Sequence, residues 1–140
     1  MTPRVIAATH ELSAEPLLRD HTLRLQVSRD GEHIELTLER RGGSTKLDPR
    51  AHLPLLGVLA RERLHDGDNA TLPISEQGWV YREDLPRLLG VPFERIHLWI
   101  HHARRQLARA GQRDAAAIIE RRAGSTQIRI GASRLSVDDR

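Results

Sequence analysis

Between His97 and Arg109 the chain sets His97, His101, His102, Arg104, Arg105 and Arg109 within about three and a half helical turns. Imidazoles and guanidiniums at this density support two kinds of chemistry. His97 and His101 are four residues apart, so on a helix they share a face, where a pair of imidazoles can ligate zinc. Neither a cysteine nor a well-placed third ligand joins them, and the glutamate of a His-Glu-x-x-His protease is missing, so no metal site is expected. The arginines favour the second chemistry, charge-assisted hydrogen bonding to phosphate. Arg121, Arg122 and Arg129 repeat the theme around the small-residue turn Ala123-Gly124-Ser125. Catalysis has no comparable support: there is no Gly-x-Ser-x-Gly, no phosphate-binding glycine loop and no pair of carboxylates around a pocket. Asp66 and Asp68 flank Gly67, which is ordinary turn chemistry. The chain is therefore expected to be neither an enzyme nor a holder of cofactors.

These side chains need elements that aim them in one direction. Phe93, Ile96, Ile100, Ala103, Leu107 and Ala110 recur at spacings of three and four, which draws one apolar stripe along a helix of about five turns. His101, Arg105 and Arg109 fall opposite the stripe, with His102 and Arg104 on its flanks. Leu98 is an apolar residue on the polar side, suited to a thymine methyl. Gly111 follows the last apolar position, where a helix must turn back. Residues 118–130 then read as two short β-prone runs around a turn, a hairpin with three arginines.

A helix backed by a basic hairpin suits double-stranded DNA. The helix would lie in the major groove, where Arg104 and Arg105 clamp phosphates or read guanine, His101 and His102 add hydrogen bonds, and His97 and Arg109 complete the DNA-binding set. Arg121, Arg122 and Arg129 would reach the neighbouring minor groove or its phosphates. Protonation of His101 and His102 below about pH 6.5 would strengthen the contact.

Upstream, Leu23, Leu25 and Val27 alternate with Arg24, Gln26 and Ser28, and Ile34, Leu36 and Leu38 with Glu35, Thr37 and Glu39. Two strands with one wet face follow, joined at Asp30-Gly31. Gly42-Gly43 turns the chain into a third strand over residues 44–47. Asp48-Pro49 reads as a helix opening, and Leu53, Leu56, Leu59, Ala60 and Leu64 as its stripe. Pro54 inside that stripe predicts a kink or a later start. Polar residues 65–77 read as a long loop. Trp79 and Val80 lead into a short helix through Leu85, Leu88 and Leu89, closed by Gly90, and Pro92 starts the next. Residues 134–137 are a candidate for one more strand, outside the order that follows. The order is β-β-β-α-α-α-β-β, an α+β domain over residues 22–137 behind a tail or linker of residues 1–21.

At 140 residues, 39% hydrophobic and 29% charged, the chain has enough apolar surface for one core. No apolar run approaches the roughly 18 residues of a membrane span, and the N-terminus has no signal-peptide core. With cysteine absent, a reducing cytoplasm is the expected setting and no membrane partner is expected. Trp79, Tyr81, Phe93 and Trp99 are the only aromatics, so the core is aliphatic and base stacking on single strands is disfavoured. The net charge is only +3, yet residues 91–130 hold eight arginines against three acids, an excess of +5 that leaves −2 on the rest. Lys46 is the sole lysine, so arginine is the general cation here, but general preference does not explain the concentration. Such an asymmetry turns one face toward a polyanion.

The order and several segments resemble the winged-helix effector domain of OmpR/PhoB-type bacterial response regulators. Leu47-Asp48-Pro49 resembles the Leu-Thr-Pro that opens the family's first helix, and Trp79-Val80-Tyr81-Arg82-Glu83-Asp84-Leu85 the segment leading into its second. Residues 96–107, from Ile96-His97-Leu98-Trp99 to Arg104-Arg105-Gln106-Leu107, resemble its recognition helix, and Ile119-Glu120-Arg121-Arg122-Ala123-Gly124 falls where the wing begins. The resemblance spans roughly Leu23 to Val137. It implies a bacterial DNA-binding regulator of transcription, with Arg104 and Arg105 at the recognition helix's Arg-Lys positions. Three departures stand out. The wing's Gly-x-Gly-Tyr is Gly124-Ser125-Thr126-Gln127, two positions that are often arginine are His101 and His102, and the loop at residues 65–78 is longer. No receiver domain accompanies the fold, so any signal input would come from elsewhere.

The rival expectation is a protein-binding module, because winged helices also serve as adaptors. It would use Trp99, Leu98 and the long loop as an apolar contact, and the modest net charge and altered wing favour it. The arginines in both helix and hairpin favour DNA, with a homodimer on tandem half-sites as a further option. The plainest alternative is a solvated cationic face with no partner.

Overall fold

In the computed structural model, which describes residues 17–139, alternation of apolar and polar residues builds the first sheet. β1 (Thr22–Val27) and β2 (Ile34–Arg40) pair antiparallel with Leu23 opposite Leu38, Leu25 opposite Leu36 and Val27 opposite Ile34, so the apolar set shares one buried face. Gly31, at φ 74°, makes the turn between them. β3 (Gly43–Lys46) extends the sheet beyond β2.

Helix α1 (Leu53–Gly67) starts later than Asp48-Pro49 implied. Pro54 falls in its first turn, where the missing N–H has no intrahelical role, so the helix is not kinked around it. The buried face is wider than the expected stripe, taking in Leu55 as well as Leu53, Leu56, Leu59 and Ala60, while Leu64 stands off it at 36% exposed. The helix also absorbs residues 65–67 of the expected loop, and the remainder holds a 3-10 turn at Ile74–Glu76.

β4 (Val80–Tyr81) follows, a strand missing from the expected order. Helix α2 (Leu85–Leu89) ends on Gly90 in the left-handed region, and α3 (Phe93–Arg109) begins after Pro92. A 3-10 turn at Ala115–Ile118 delivers the chain into β5 (Ile119–Arg121) and β6 (Gln127–Ile130), an antiparallel hairpin. Val80 pairs with Ile128, so the second sheet has the order β4-β6-β5. β7 (Leu135–Asp139) returns to the first sheet and lies parallel to β1, giving β3-β2-β1-β7. Among the described residues the fold is α+β, with three α-helices, one mixed sheet and one antiparallel sheet.

Helix α1 is the hub, packing on β2, β6, β7, α2 and α3. One apolar cluster joins Leu25 and Leu36 of the first sheet, Leu56 and Leu59 of α1, Ile96 and Leu107 of α3, and Ile128 and Ile130 of the hairpin. Arg63 of α1 is buried at 6% exposed and donates to the Ile130 carbonyl at 2.7 Å, a charged link between helix and hairpin. Burial lowers its pKa, a nearby Arg129 lowers it further and Glu120 opposes both. Gly131 passes so close to the 3-10 turn that a Cβ there would stand 1.7 Å from the Ala117 carbonyl oxygen.

Residues 17–21, within the expected tail, are packed on this body. Leu18 is 3% exposed and its N–H donates to Asp114 Oδ1 at 3.0 Å. Residues 1–16 lie outside the described part. Among the described residues no helix is long and apolar enough to cross a membrane.

Candidate nucleic-acid interface

Helix α3 buries Ile96, Trp99, Ile100, Ala103 and Leu107. Trp99 is only 8% exposed, so it belongs to the core and not to an outer contact surface. Its position, three after Ile96 and four before Ala103, is the signal that could have added it to the expected stripe, which left it out. Phe93 moves the other way: it is 41% exposed and meets the His97 ring edge-on at 4.9 Å. The outer face presents His97, Leu98, His101, Arg105 and Arg109, with His102 exposed on one flank. Leu98, 47% exposed, is the apolar member of this face.

Three expected contact residues are instead occupied within the fold. Arg104 lies on the α3 flank that packs on the 3-10 turn, and it donates from Nε to the Ala116 carbonyl at 3.0 Å and from Nη2 to the Ile119 carbonyl at 2.8 Å. Burial lowers its pKa first, and the positive charge of Arg121 second. Arg129, its side chain 11% exposed, donates to Glu120 and to the carbonyls of Ile74 and Gln77, with its guanidinium 4.4 Å from the Trp79 ring centroid. Arg122 pairs with Glu76 at 2.6 Å, donates to Gln127 Oε1 at 3.2 Å and lies 5.4 Å from the same ring. Two hairpin arginines thus clamp residues 74–79 around Trp79, whose Nε1–H donates to the Ser75 carbonyl.

What remains outward on the hairpin is Arg121, exposed at the end of β5 and near enough to α3 to be felt by Arg104. Arg105, Arg109 and Arg121 have no ion-pair or hydrogen-bond partner for their side chains among the described residues. An exposed guanidinium without an internal partner has its donors free for an incoming anion.

A cleft beside α3 has no counterpart in any local sequence pattern. The chain between β3 and α1 forms one wall and the C-terminal half of α3 the other, enclosing about 480 Å3 lined by Lys46, Arg50, His52, His102, Arg105 and Arg109 among others. At its edge His52, 3% exposed, is tied to Gln106 Oε1 at 2.6 Å, and Gln106 Nε2 donates to the Asp48 carbonyl at 2.7 Å. Read as an Nε2–H donor, neutral His52 completes a chain that fixes the start of α1 to α3.

Burial lowers the His52 pKa, repulsion from His102 and Arg50 adds to it, and the Gln106 hydrogen bond works in the opposite direction. The unfolded chain therefore takes up a proton near pH 6.5 before the folded one does. The stability contribution of neutral His52 is full above about pH 6.5 and falls as the pH drops from there toward the folded value. Urea denaturation at pH 7.5 and pH 5.5 should show a smaller acid loss for His52→Asn than for the parent chain. Equal losses would separate His52 from the acid response.

Among the described residues no group of three or more histidines, cysteines or carboxylates is placed to hold a metal ion. No known protein family, curated protein or solved structure matches the chain.

Proposed function

We propose that this is a winged-helix protein that binds double-stranded DNA, of the OmpR/PhoB effector type, and that it regulates transcription. In this reading α3 is the recognition helix and the β5–β6 hairpin is the wing. The observation that carries it is the set of exposed guanidiniums on Arg105, Arg109 and Arg121, unpaired within the described chain and grouped on α3 and the strand beside it. His97, Leu98, His101 and His102 complete the groove-facing surface, Leu98 against a thymine methyl and the imidazoles as hydrogen-bond partners. Arg122 reaches phosphate only by exchanging Glu76 for it. Arg104 and Arg129 act from behind, holding the helix and wing in register. Glu94, the one acid on α3, stands in the first turn, where it complements the helix dipole and marks one end of the basic face.

A protein-docking module is less well supported, because Trp99 is in the core and the polar loop is clamped by Arg122 and Arg129. Leu98 and Phe93 are what α3 offers such a partner, and Ile74, 69% exposed, is what the loop offers.

The test is fluorescence anisotropy of a labelled random-sequence duplex over a range of salt. Three phosphate contacts give a slope of log affinity against log salt of about −3, a loss of about fortyfold for a fourfold rise in salt. A slope near zero would sink the DNA reading. Arg105→Ala then separates two roles: uniform weakening on every duplex marks a phosphate contact, and lost preference at one base pair marks a guanine reader.

A further inference from the structure

We propose that the cleft between the β3–α1 connection and α3 is a binding site for a phosphorylated small molecule of nucleotide size, and that its occupant competes with DNA. The competition rests on the DNA reading above; the small-molecule site does not.

Four cations converge on the cleft from two separated stretches of chain, Lys46 and Arg50 on one wall and Arg105 and Arg109 on the other. Asp48 is the one acid in the lining. The volume of about 480 Å3 falls in the range of roughly 300–1,000 Å3 typical of small-molecule sites. The lining is not purely polar: Leu47, Ala110 and the His102 ring offer apolar and planar surface beside the charges. Such a mixture fits a molecule that carries both phosphates and a ring. Buried His52, held by Gln106, keeps the wall between the two cationic pairs in place.

The present partners of the first wall are weak competitors. Lys46 pairs with Glu35 at 2.8 Å, and Arg50 pairs with Asp48 at 3.4 Å and donates to the Pro49 carbonyl at 2.8 Å; both cationic side chains are more than half exposed, where such pairs contribute little. Arg105 and Arg109 belong to both the cleft and the outer face of α3. A ligand whose phosphates draw these two guanidiniums inward removes them from a duplex, so the two partners exclude each other without any change of fold.

The experiment uses the full chain and ATP as probe, with adenosine as the uncharged control. Nitrogen-15 NMR titration should move the amide signals of residues 45–48, 50 and 102–110 with ATP and leave them in place with adenosine. Lys46→Ala/Arg50→Ala should weaken ATP by about tenfold, two exposed phosphate contacts being lost, while Arg29→Ala/Arg87→Ala, which removes the same charge elsewhere, should leave ATP affinity unchanged. ATP should displace labelled duplex from the parent chain and from Arg29→Ala/Arg87→Ala, and do so about tenfold less effectively from Lys46→Ala/Arg50→Ala. Equal weakening by both double variants would mean diffuse charge attraction only and would overturn the site. Loss of duplex affinity in Lys46→Ala/Arg50→Ala as large as its loss of ATP affinity would reassign the cleft to the DNA backbone and overturn it as well. If ATP binds as described and no duplex binds, the cleft stands and the DNA reading fails. If duplex binds and millimolar ATP moves no cleft signal, the cleft fails alone.

Discussion

Arg105→Glu combined with Arg109→Glu is expected to remove duplex binding, with affinity falling by about 1,000-fold at low salt. Each arginine is an exposed cation free of internal partners, so replacing it removes a charge-assisted contact of about 1.5 kcal/mol. Reversing the sign adds repulsion from the phosphate it used to meet, and about 4 kcal/mol in total corresponds to the stated loss. The salt slope should shrink by about two units, because two fewer counterions are released. Stability should hardly change, since neither side chain touches the core, and the melting temperature is expected within about 2 °C of the parent. Arg104→Ala is the informative contrast. It strips donors from the carbonyls of Ala116 and Ile119 and should cost about 2 kcal/mol of stability. Undiminished binding by the Arg105/Arg109 double variant would take α3 out of the interface.

Gly131→Ala is expected to be among the most damaging single substitutions in the chain. The added methyl would stand 1.7 Å from the Ala117 carbonyl oxygen, and that neighbour is backbone, so no rotamer change relieves the clash. The same glycine donates its N–H to the Ile118 carbonyl at 2.8 Å, which couples any retreat of the chain to the loss of a hydrogen bond. Separating the two segments also disturbs Ile118 and Ile130, both fully buried. A cost of about 3–5 kcal/mol follows, toward the upper end for a single substitution, against a total stability of about 5–15 kcal/mol for a domain. Circular-dichroism melting should show a drop on the order of 10 °C. Gly43→Ala, where nothing lies within 4 Å of the added carbon, should melt with the parent. If Gly131→Ala also melts with the parent, the two segments do not pass at this distance.

Much of the fold was legible where burial imposes a period. The alternations through Leu23-Leu25-Val27 and Ile34-Leu36-Leu38 gave both strands, and the spacing from Ile96 to Leu107 gave α3. β4 was not legible because two residues, Val80 and Tyr81, are too few to show a period, and its pairing with residues 127 and 128 is decided by the tertiary fold. The partner of β7 was hidden for the same reason: its contact with β1 spans more than a hundred residues of chain. For the candidate site, sequence alone reads an arginine as a charge. Whether its guanidinium faces water, as on Arg105, or two carbonyls, as on Arg104, depends on what packs against the flank of the helix. Lys46 and Arg50 escaped notice because no local pattern links them to α3.

The parallel pairing of β7 with β1 has a bearing on the order in which the protein assembles as it is made. β1, β2 and β3 are joined by short turns and can pair once residues 22–46 have left the ribosome. The far edge of β1, from Leu23 to Val27, then waits with its ladder unfilled until Leu135–Asp139 have emerged. For that interval the nascent chain carries an open strand edge backed by an apolar face, a template for the same segment of a neighbouring chain. The last strand of the sheet is thus also its guard against mispairing on crowded polysomes, and slow translation of the segment between prolongs the exposure.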